Sequence, residues 1–156
     1  MTLNDEIIAY LTLNNIAWSV GDYETGQPAG EADQILYWSQ SLGAQPSQAQ
    51  LDAAYQTYSQ TQSDKALYDS IVVQTQQRLD DFAKTRGYDG ILSAVTYATS
   101  TTTKFQIEGQ YCLDQRDATW DSLITMFAEV QAGTRPKPTS YADIEPDLPP
   151  LVWPNP

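Results

Sequence analysis

The sequence predicts a mainly α-helical protein with one small β-hairpin, an α+β fold. Two segments, residues 63–86 and 106–131, place apolar residues at intervals of three and four, the period of an amphipathic helix. Two shorter segments, residues 16–20 and 34–38, are rich in β-branched and aromatic residues, as strands are. Because a two-stranded hairpin is not stable alone, we expect it to pack on a helix.

The first 62 residues are predicted to form a recognition module of helix, hairpin and helix. Asn4 is the expected N-cap of the first helix, which should end near Asn14. Ser47 and Gln50 have the spacing of a capping box, so a second helix is expected to begin there. Its apolar positions are Leu51, Ala54, Tyr55 and Tyr58.

Residues 63–133 are predicted to form a helical domain. Ser63 and Asp64 are the expected start of a helix that Gly87 should end, although a nearly continuous helix over residues 47–86 is the alternative. Asp89 is the expected cap of a short helix, and the long helix over 106–131 follows.

Residues 134–156 are predicted to form an extended, proline-rich arm. Proline cannot continue a helix and favours extended backbone. The apolar residues of the arm need a surface on which to be buried, and the pattern leaves open whether that surface is the chain's own helices or a partner; disorder is the third alternative. Seven of the nine prolines lie here: Pro136, Pro138, Pro146, Pro149, Pro150, Pro154 and Pro156.

The charge of the chain is strongly acidic, at −12 with a pI near 4.1. This balance argues against nucleic acid and anionic membranes as partners, because both attract Lys and Arg. The first 64 residues contain no Lys or Arg, and this half is interpreted either as a solvated acidic surface or as the binding face for a basic partner. Its eight acids are Asp5, Glu6, Asp22, Glu24, Glu31, Asp33, Asp52 and Asp64.

No catalytic, cofactor-binding or metal-binding residues are predicted. The chain has no histidine, which removes the commonest general base and metal ligand, and it has no glycine-rich phosphate motif. A carboxylate-based hydrolase is a remote alternative, since Asp80 and Asp81, and the acids of residues 143–147, could supply a pair of carboxylates. Asp80 and Asp81 point about 100° apart on a helix, however, and therefore do not converge. Cys112 is the single cysteine and is expected to be a small buried residue rather than a reactive thiol.

Eight residues are singled out by their type and position. Arg116 lies on the apolar stripe of the long helix, where it must be paired or must extend its charge to water. We expect a structural ion pair with Asp89 or another carboxylate, and we expect Trp120 to be a core residue. The partner-binding candidates are aromatic and apolar residues of the hairpin and the arm, which are typical interface anchors: Trp18, Tyr37, Trp38, Leu151 and Trp153.

The amino-terminal residues 1–6 have neither the basic nor the apolar region of a secretory signal. No stretch approaches the length of 18 apolar residues that a bilayer requires. We therefore expect a protein made in, and soluble in, a cytoplasm.

Several short sequence motifs resemble those of a family of small proteins encoded beside bacteriophage tail-fibre genes, the tail-fibre assembly chaperones and accessory proteins. In the second half of the chain the motifs are T-R-G-Y-D-G-I-L-S-A (85–94), Y-A-T-S (97–100), E-G-Q (108–110), Q-R-D-A-T-W (115–120), A-G-T-R-P-K-P-T (132–139) and L-V-W-P (151–154). In the first half, W-S-V-G-D-Y (18–23), I-L-Y-W (35–38) and G-A-Q-P-S-Q-A-Q-L-D-A-A (43–54) look like the N-terminal module of such proteins.

The resemblance implies a protein that is not an enzyme and that helps a tail fibre to fold, assemble or attach. The alternative within the same family is a permanent structural subunit of the fibre or baseplate. The implied partner is a fibre or baseplate protein, bound as part of a complex with a trimeric fibre. The implied location is the host cytoplasm during assembly, or the virion tail.

Overall fold

The predicted fold class is confirmed by a computed structural model that describes residues 1–154. Within those residues are four α-helices and one antiparallel hairpin: α1 (Leu3–Leu13), β1 (Tyr23–Gly26), β2 (Gln34–Trp38), α2 (Gln48–Lys84), α3 (Ile91–Val95) and α4 (Thr103–Gln131). The chain divides into two compact units, residues 1–65 and the residues from Ala66 onward. The last two positions of the predicted arm, Asn155 and Pro156, lie outside the described residues.

The first helix begins earlier than predicted, because Thr2 rather than Asn4 is its N-cap. The Thr2 hydroxyl accepts the backbone N–H of Asp5 at 3.3 Å, and the Asp5 carboxylate accepts the backbone N–H of Thr2 at 2.8 Å. This reciprocal pair satisfies two of the donors that a helix start leaves open. Asn4 lies inside the first turn, where its Oδ1 accepts the hydroxyl of Tyr23 at 2.7 Å.

The prediction of a strand over residues 16–20 is wrong, because the first strand, β1, lies at Tyr23–Gly26. Asn15 ends α1 in the left-handed region, with φ at 55°, and the Ile16 N–H then donates to the Leu11 carbonyl. The following loop is closed by Asp22, whose carboxylate accepts the Ser19 N–H at 2.6 Å. These local hydrogen bonds compete with strand pairing and hold residues 16–20 as a loop.

The second strand was predicted correctly, and its register places one face of the hairpin on the core. Tyr23 pairs with Trp38 and Glu24 with Tyr37, and the register shifts at the next position. Tyr23, Ile35 and Trp38 pack against the buried core of this unit, as a hairpin requires for stability. That core is made of Leu3, Ile7, Leu11, Leu42 and Leu51.

The helix α2 begins at the predicted capping box and runs without a break to Lys84. The Ser47 N–H donates to the Gln50 side chain at 2.9 Å. The predicted new start at Ser63 and Asp64 is wrong, and the continuous alternative is the one observed. Hydroxyls in this polar stretch donate to carbonyls four residues earlier, as Thr57 does to Ala53 at 3.0 Å, so they do not disrupt the helix.

The second unit contains two hydrophobic clusters. One consists of Leu79, Ala83, Ile91, Ala94 and Cys112, and the other of Ile71, Leu123, Met126, Ile144 and Leu148. Gly87 has φ at 85°, which confirms the predicted end of α2. The predicted cap of α3 by Asp89 is wrong. Gly90 is the N-cap residue, and Oδ1 of Asp80 accepts the Ile91 N–H at 2.8 Å.

A close crossing in the second unit depends on Gly109 of α4. A Cβ atom at this position would lie 3.0 Å from the carbonyl oxygen of Ala94, and closer still to backbone atoms of Tyr97 and Ala98. The 3₁₀ turn Thr96–Thr99 therefore approaches α4 as closely as its backbone allows. Only glycine leaves room for this contact.

The arm is folded onto its own unit, which is the first of its predicted alternatives. Ser140 and Asp143 form a capping box at a 3₁₀ turn, and a second turn, Glu145–Asp147, follows. Ile144 and Leu148 are buried with the helices. The prolines from Pro136 to Pro154 thus occur in a folded segment whose apolar residues complete a core.

Candidate functional site: an exposed aromatic surface on the first unit

The predicted partner-binding residues of the arm are occupied within the chain. The Trp153 ring stacks on Phe82, with 4.2 Å between ring centroids and 17° between planes. Its indole N–H donates to the Thr85 hydroxyl at 2.8 Å, and the Arg86 guanidinium lies 4.9 Å from its centroid. Leu151 packs against the same cluster. Both side chains therefore take part in the packing of their own unit.

The sequence analysis missed Glu108, an acid whose side chain is only 3% exposed. Its carboxylate accepts hydrogen bonds from the guanidinium of Arg86 and, at 2.8 Å, from the hydroxyl of Tyr88. Burial works to raise the pKa of Glu108, but these two hydrogen bonds and the nearby positive charges outweigh it and hold the pKa below its usual value. The available signal was its position four residues before Cys112, on the same helix face.

Residues from three of the motifs behind the family resemblance lie close together in this part of the second unit. Thr85, Arg86 and Tyr88 come from one motif, Glu108 from another and Trp153 from a third. Their contacts are hydrogen bonds, ring stacking and one paired charge, and all of them hold α2, α4 and the arm together. These three motifs therefore contain residues that pack the second unit together.

Glu108→Gln is expected to lower the stability of the second unit by about 2 kcal/mol at pH 7, the usual contribution of hydrogen bonds to a charged group. A carboxylate with a depressed folded-state pKa stabilises above its unfolded value, near 4.5, and loses that contribution as pH falls through the folded value. The unfolding free energies of wild type and variant should therefore approach each other as pH falls below about 4.5. A constant difference from pH 7 to pH 3, measured by urea unfolding, would contradict this assignment.

The predicted ion pair of Arg116 with Asp89 or another carboxylate is formed, but with Asp117 on the same helix rather than between helices. The guanidinium of Arg116 lies 3.2 Å from the carboxylate of its neighbour Asp117, and Asp89 is exposed. The helix stripe suggested burial, but a long side chain extends its charge to the edge of an apolar face. Trp120 packs against both hydrophobic clusters, as predicted.

Arg116→Ala is expected to change the unfolding free energy by less than about 1 kcal/mol, because exposed ion pairs between neighbours contribute little. Thermal unfolding of this variant beside Asp117→Ala measures the effect. A loss of several kcal/mol would show that Arg116 has a buried partner after all.

Cys112 is fully buried, as predicted. Burial, reinforced by the charge of Glu108, raises the pKa of the thiol to about 11. The thiol is therefore protonated at neutral pH and unsuited to nucleophilic chemistry.

The first unit leaves a group of large apolar side chains in solvent. Val20 is 100% exposed, Leu36 59%, Tyr37 49% and Trp18 41%. Trp38, by contrast, packs on the core, and its indole N–H donates to the Gly43 carbonyl at 3.1 Å. Of the predicted hairpin candidates, Trp18 and Tyr37 are thus available to a partner and Trp38 is structural.

Beside β1, a surface groove of about 240 Å³ includes Trp18. Its walls are the start of α1, the loop over residues 18–21 and the strand itself. The rings of Trp18 and Tyr23 stand 5.6 Å apart, tilted by 52°. The lining residues are Asn4, Ile8, Trp18, Ser19, Val20, Gly21, Tyr23 and Thr25.

The side chains that line this groove can make apolar contacts and hydrogen bonds. The groove is lined by apolar, amide and hydroxyl groups, and no acid pair points into it. Across residues 1–154, no three His, Cys, Asp or Glu side chains converge as metal ligands would. The helices of the same residues include none that is long and apolar enough to span a bilayer.

Comparison of the whole chain with protein-family models, with characterised proteins and with solved structures finds no match.

Proposed function

We propose that this chain is a non-enzymatic bacteriophage protein that associates with the tail fibre and assists its folding, assembly or attachment. The observation that carries the proposal is that four large apolar side chains of the first unit lie in solvent: Trp18, Val20, Leu36 and Tyr37. Aromatic residues of this kind are the usual anchors of protein interfaces. We propose a tail fibre as the partner because short motifs of the sequence resemble those of tail-fibre accessory proteins.

The mechanism we propose is temporary shielding. A fibre that is still folding exposes apolar surface and strand edges, which aggregate when they meet each other. The apolar side chains of the first unit would cover part of that surface, and the charge of −12 would keep the complex soluble. The second unit, whose core and arm are already packed, contributes a stable body.

Co-expression with a fibre protein tests this function. We expect the chain to raise the yield of soluble, trimeric fibre, and we expect Trp18→Ala combined with Tyr37→Ala to abolish that gain. The matched control is Val73→Ala combined with Ile124→Ala, which removes exposed apolar side chains from the second unit. A fibre yield that is the same with and without the chain would overturn the assisting role.

The composition of purified virions separates assistance from a permanent structural role. A protein that leaves after assembly is absent from the virion, whereas a tail or baseplate subunit is present in fixed stoichiometry. Quantitative mass spectrometry of virions therefore decides between the two, and we expect the chain to be absent.

A further inference from the structure

The groove beside β1 is built before any partner arrives. The Tyr23 hydroxyl donates to Asn4 at 2.7 Å, which holds one wall against α1. The Asp22 carboxylate accepts the Ser19 N–H at 2.6 Å, which holds the loop that carries Trp18 and Val20. Side chains held in this way lose little entropy when a ligand binds.

The size of the groove suits one long side chain. Pockets for drug-sized ligands are about 300–1,000 Å³, and this groove is about 240 Å³ and open to solvent. Two aromatic rings line it, those of Trp18 and Tyr23. Such rings attract cations to their faces, with arginine the more frequent partner.

The charges around the groove have one sign. Asp22 lies in its loop and Asp5 follows the lining residue Asn4, whereas Glu24 points to the face of β1 opposite the lining residues Tyr23 and Thr25. The first 64 residues carry eight acidic side chains and no Lys or Arg. A partner segment with positive charge is therefore attracted to this surface, and an acidic segment is repelled.

We propose that this groove binds an arginine side chain from an apolar segment of the partner protein. The guanidinium stacks against the rings of Trp18 and Tyr23, the acids of the first unit attract its charge, and the neighbouring apolar residues of the segment cover Val20. Arginine fits better than lysine because its planar head is weakly hydrated and stacks on aromatic rings. The inference rests on the proposed function for the identity of the partner, but its chemistry is tested separately.

The test titrates the ¹⁵N-labelled full chain with short peptides and follows the spectrum by NMR. The peptides are acetyl-Gly-Arg-Leu-Arg-Gly-amide and its versions with Lys, Gln or Glu in place of Arg. We expect the arginine peptide to shift the indole N–H of Trp18 and the amides of residues 19–22. The lysine peptide should bind a few-fold more weakly, and the Gln and Glu peptides about tenfold more weakly or not at all.

Two substitutions assign the binding to the groove. Trp18→Ala should weaken the arginine peptide about fivefold. Asp22→Asn retains an oxygen that accepts the Ser19 N–H but removes the charge, and it should weaken binding about threefold. The matched control, Ile124→Ala, removes an exposed apolar side chain from the second unit and should leave binding unchanged.

Three results would overturn the inference: equal binding of the Gln peptide, shifts confined to other parts of the chain, or no effect of Trp18→Ala and Asp22→Asn. The inference of arginine binding and the proposed function can be contradicted independently of each other. Binding of the arginine peptide without any fibre binding leaves the groove and removes the function, whereas fibre binding that is insensitive to both substitutions leaves the function and removes the groove.

Discussion

Gly109→Ala is expected to destabilise the second unit by about 3 kcal/mol, against the ordinary preference of a helix for alanine. Replacing glycine by alanine inside a helix normally stabilises by about 1 kcal/mol. Here the new Cβ would overlap the backbone of Tyr97 and Ala98, which cannot move aside as a flexible side chain can. Overpacking of this kind costs about 1–3 kcal/mol and occasionally more, and a backbone obstacle places it at the upper end.

Urea unfolding followed by circular dichroism measures the effect. Ala118→Gly is the matched control, since it makes the reverse change at an exposed position of the same helix and should cost only about 1 kcal/mol. A Gly109→Ala variant that is as stable as wild type, or more stable, would mean that α4 and the turn Thr96–Thr99 do not approach as closely as described.

Trp153→Ala is expected to lower the stability of the second unit by about 3 kcal/mol and to release the end of the arm. Truncating a packed tryptophan typically costs 3–5 kcal/mol, and the partial exposure of this ring places the effect near the lower end. The variant loses the stacking on Phe82 and the hydrogen bond to Thr85.

Hydrogen exchange reports the release directly, because the backbone N–H of Val152 donates to the Tyr111 hydroxyl at 2.8 Å. We expect this amide to be protected in the wild type and to exchange rapidly in Trp153→Ala. Val152→Ala is the control, since the Val152 side chain is exposed and its removal should leave both stability and protection unchanged. Rapid exchange of the Val152 amide in the wild type would show that the arm is not held.

The sequence predicted the features that depend on local interactions. The capping box at Ser47, the end of α2 before Gly87 and the helical periodicity of α4 are each encoded within a few residues. The burial of Cys112 follows from the same periodicity. Such signals survive in the fold because tertiary contacts reinforce them rather than oppose them.

The features that the sequence did not predict depend on partners distant along the chain. The strand β1, Tyr-Glu-Thr-Gly, has little apolar character and is a strand because it pairs with β2. The apolar run over residues 16–20 looks more like a strand but is held as a loop by its own hydrogen bonds.

Two of the charged residues on α4, Glu108 and Arg116, show the same limit. Periodicity places both Glu108 and Arg116 near apolar positions, but it does not say which charge finds a buried partner. The answer depends on Arg86, 22 residues earlier in the chain. The exposure of Trp18 and Tyr37, which defines the candidate surface, is likewise a property of the packed unit, since the same residue types serve in cores.

The central claim is that the exposed aromatic surface of the first unit binds a tail-fibre protein. An affinity capture from phage-infected cells, with the tagged chain as bait and mass spectrometry as readout, tests it most directly. We predict that the fibre protein is captured by the wild type and by Val73→Ala combined with Ile124→Ala, and that Trp18→Ala combined with Tyr37→Ala loses it. Capture of no fibre or baseplate protein by the wild type, or equal capture by all three chains, would contradict the claim.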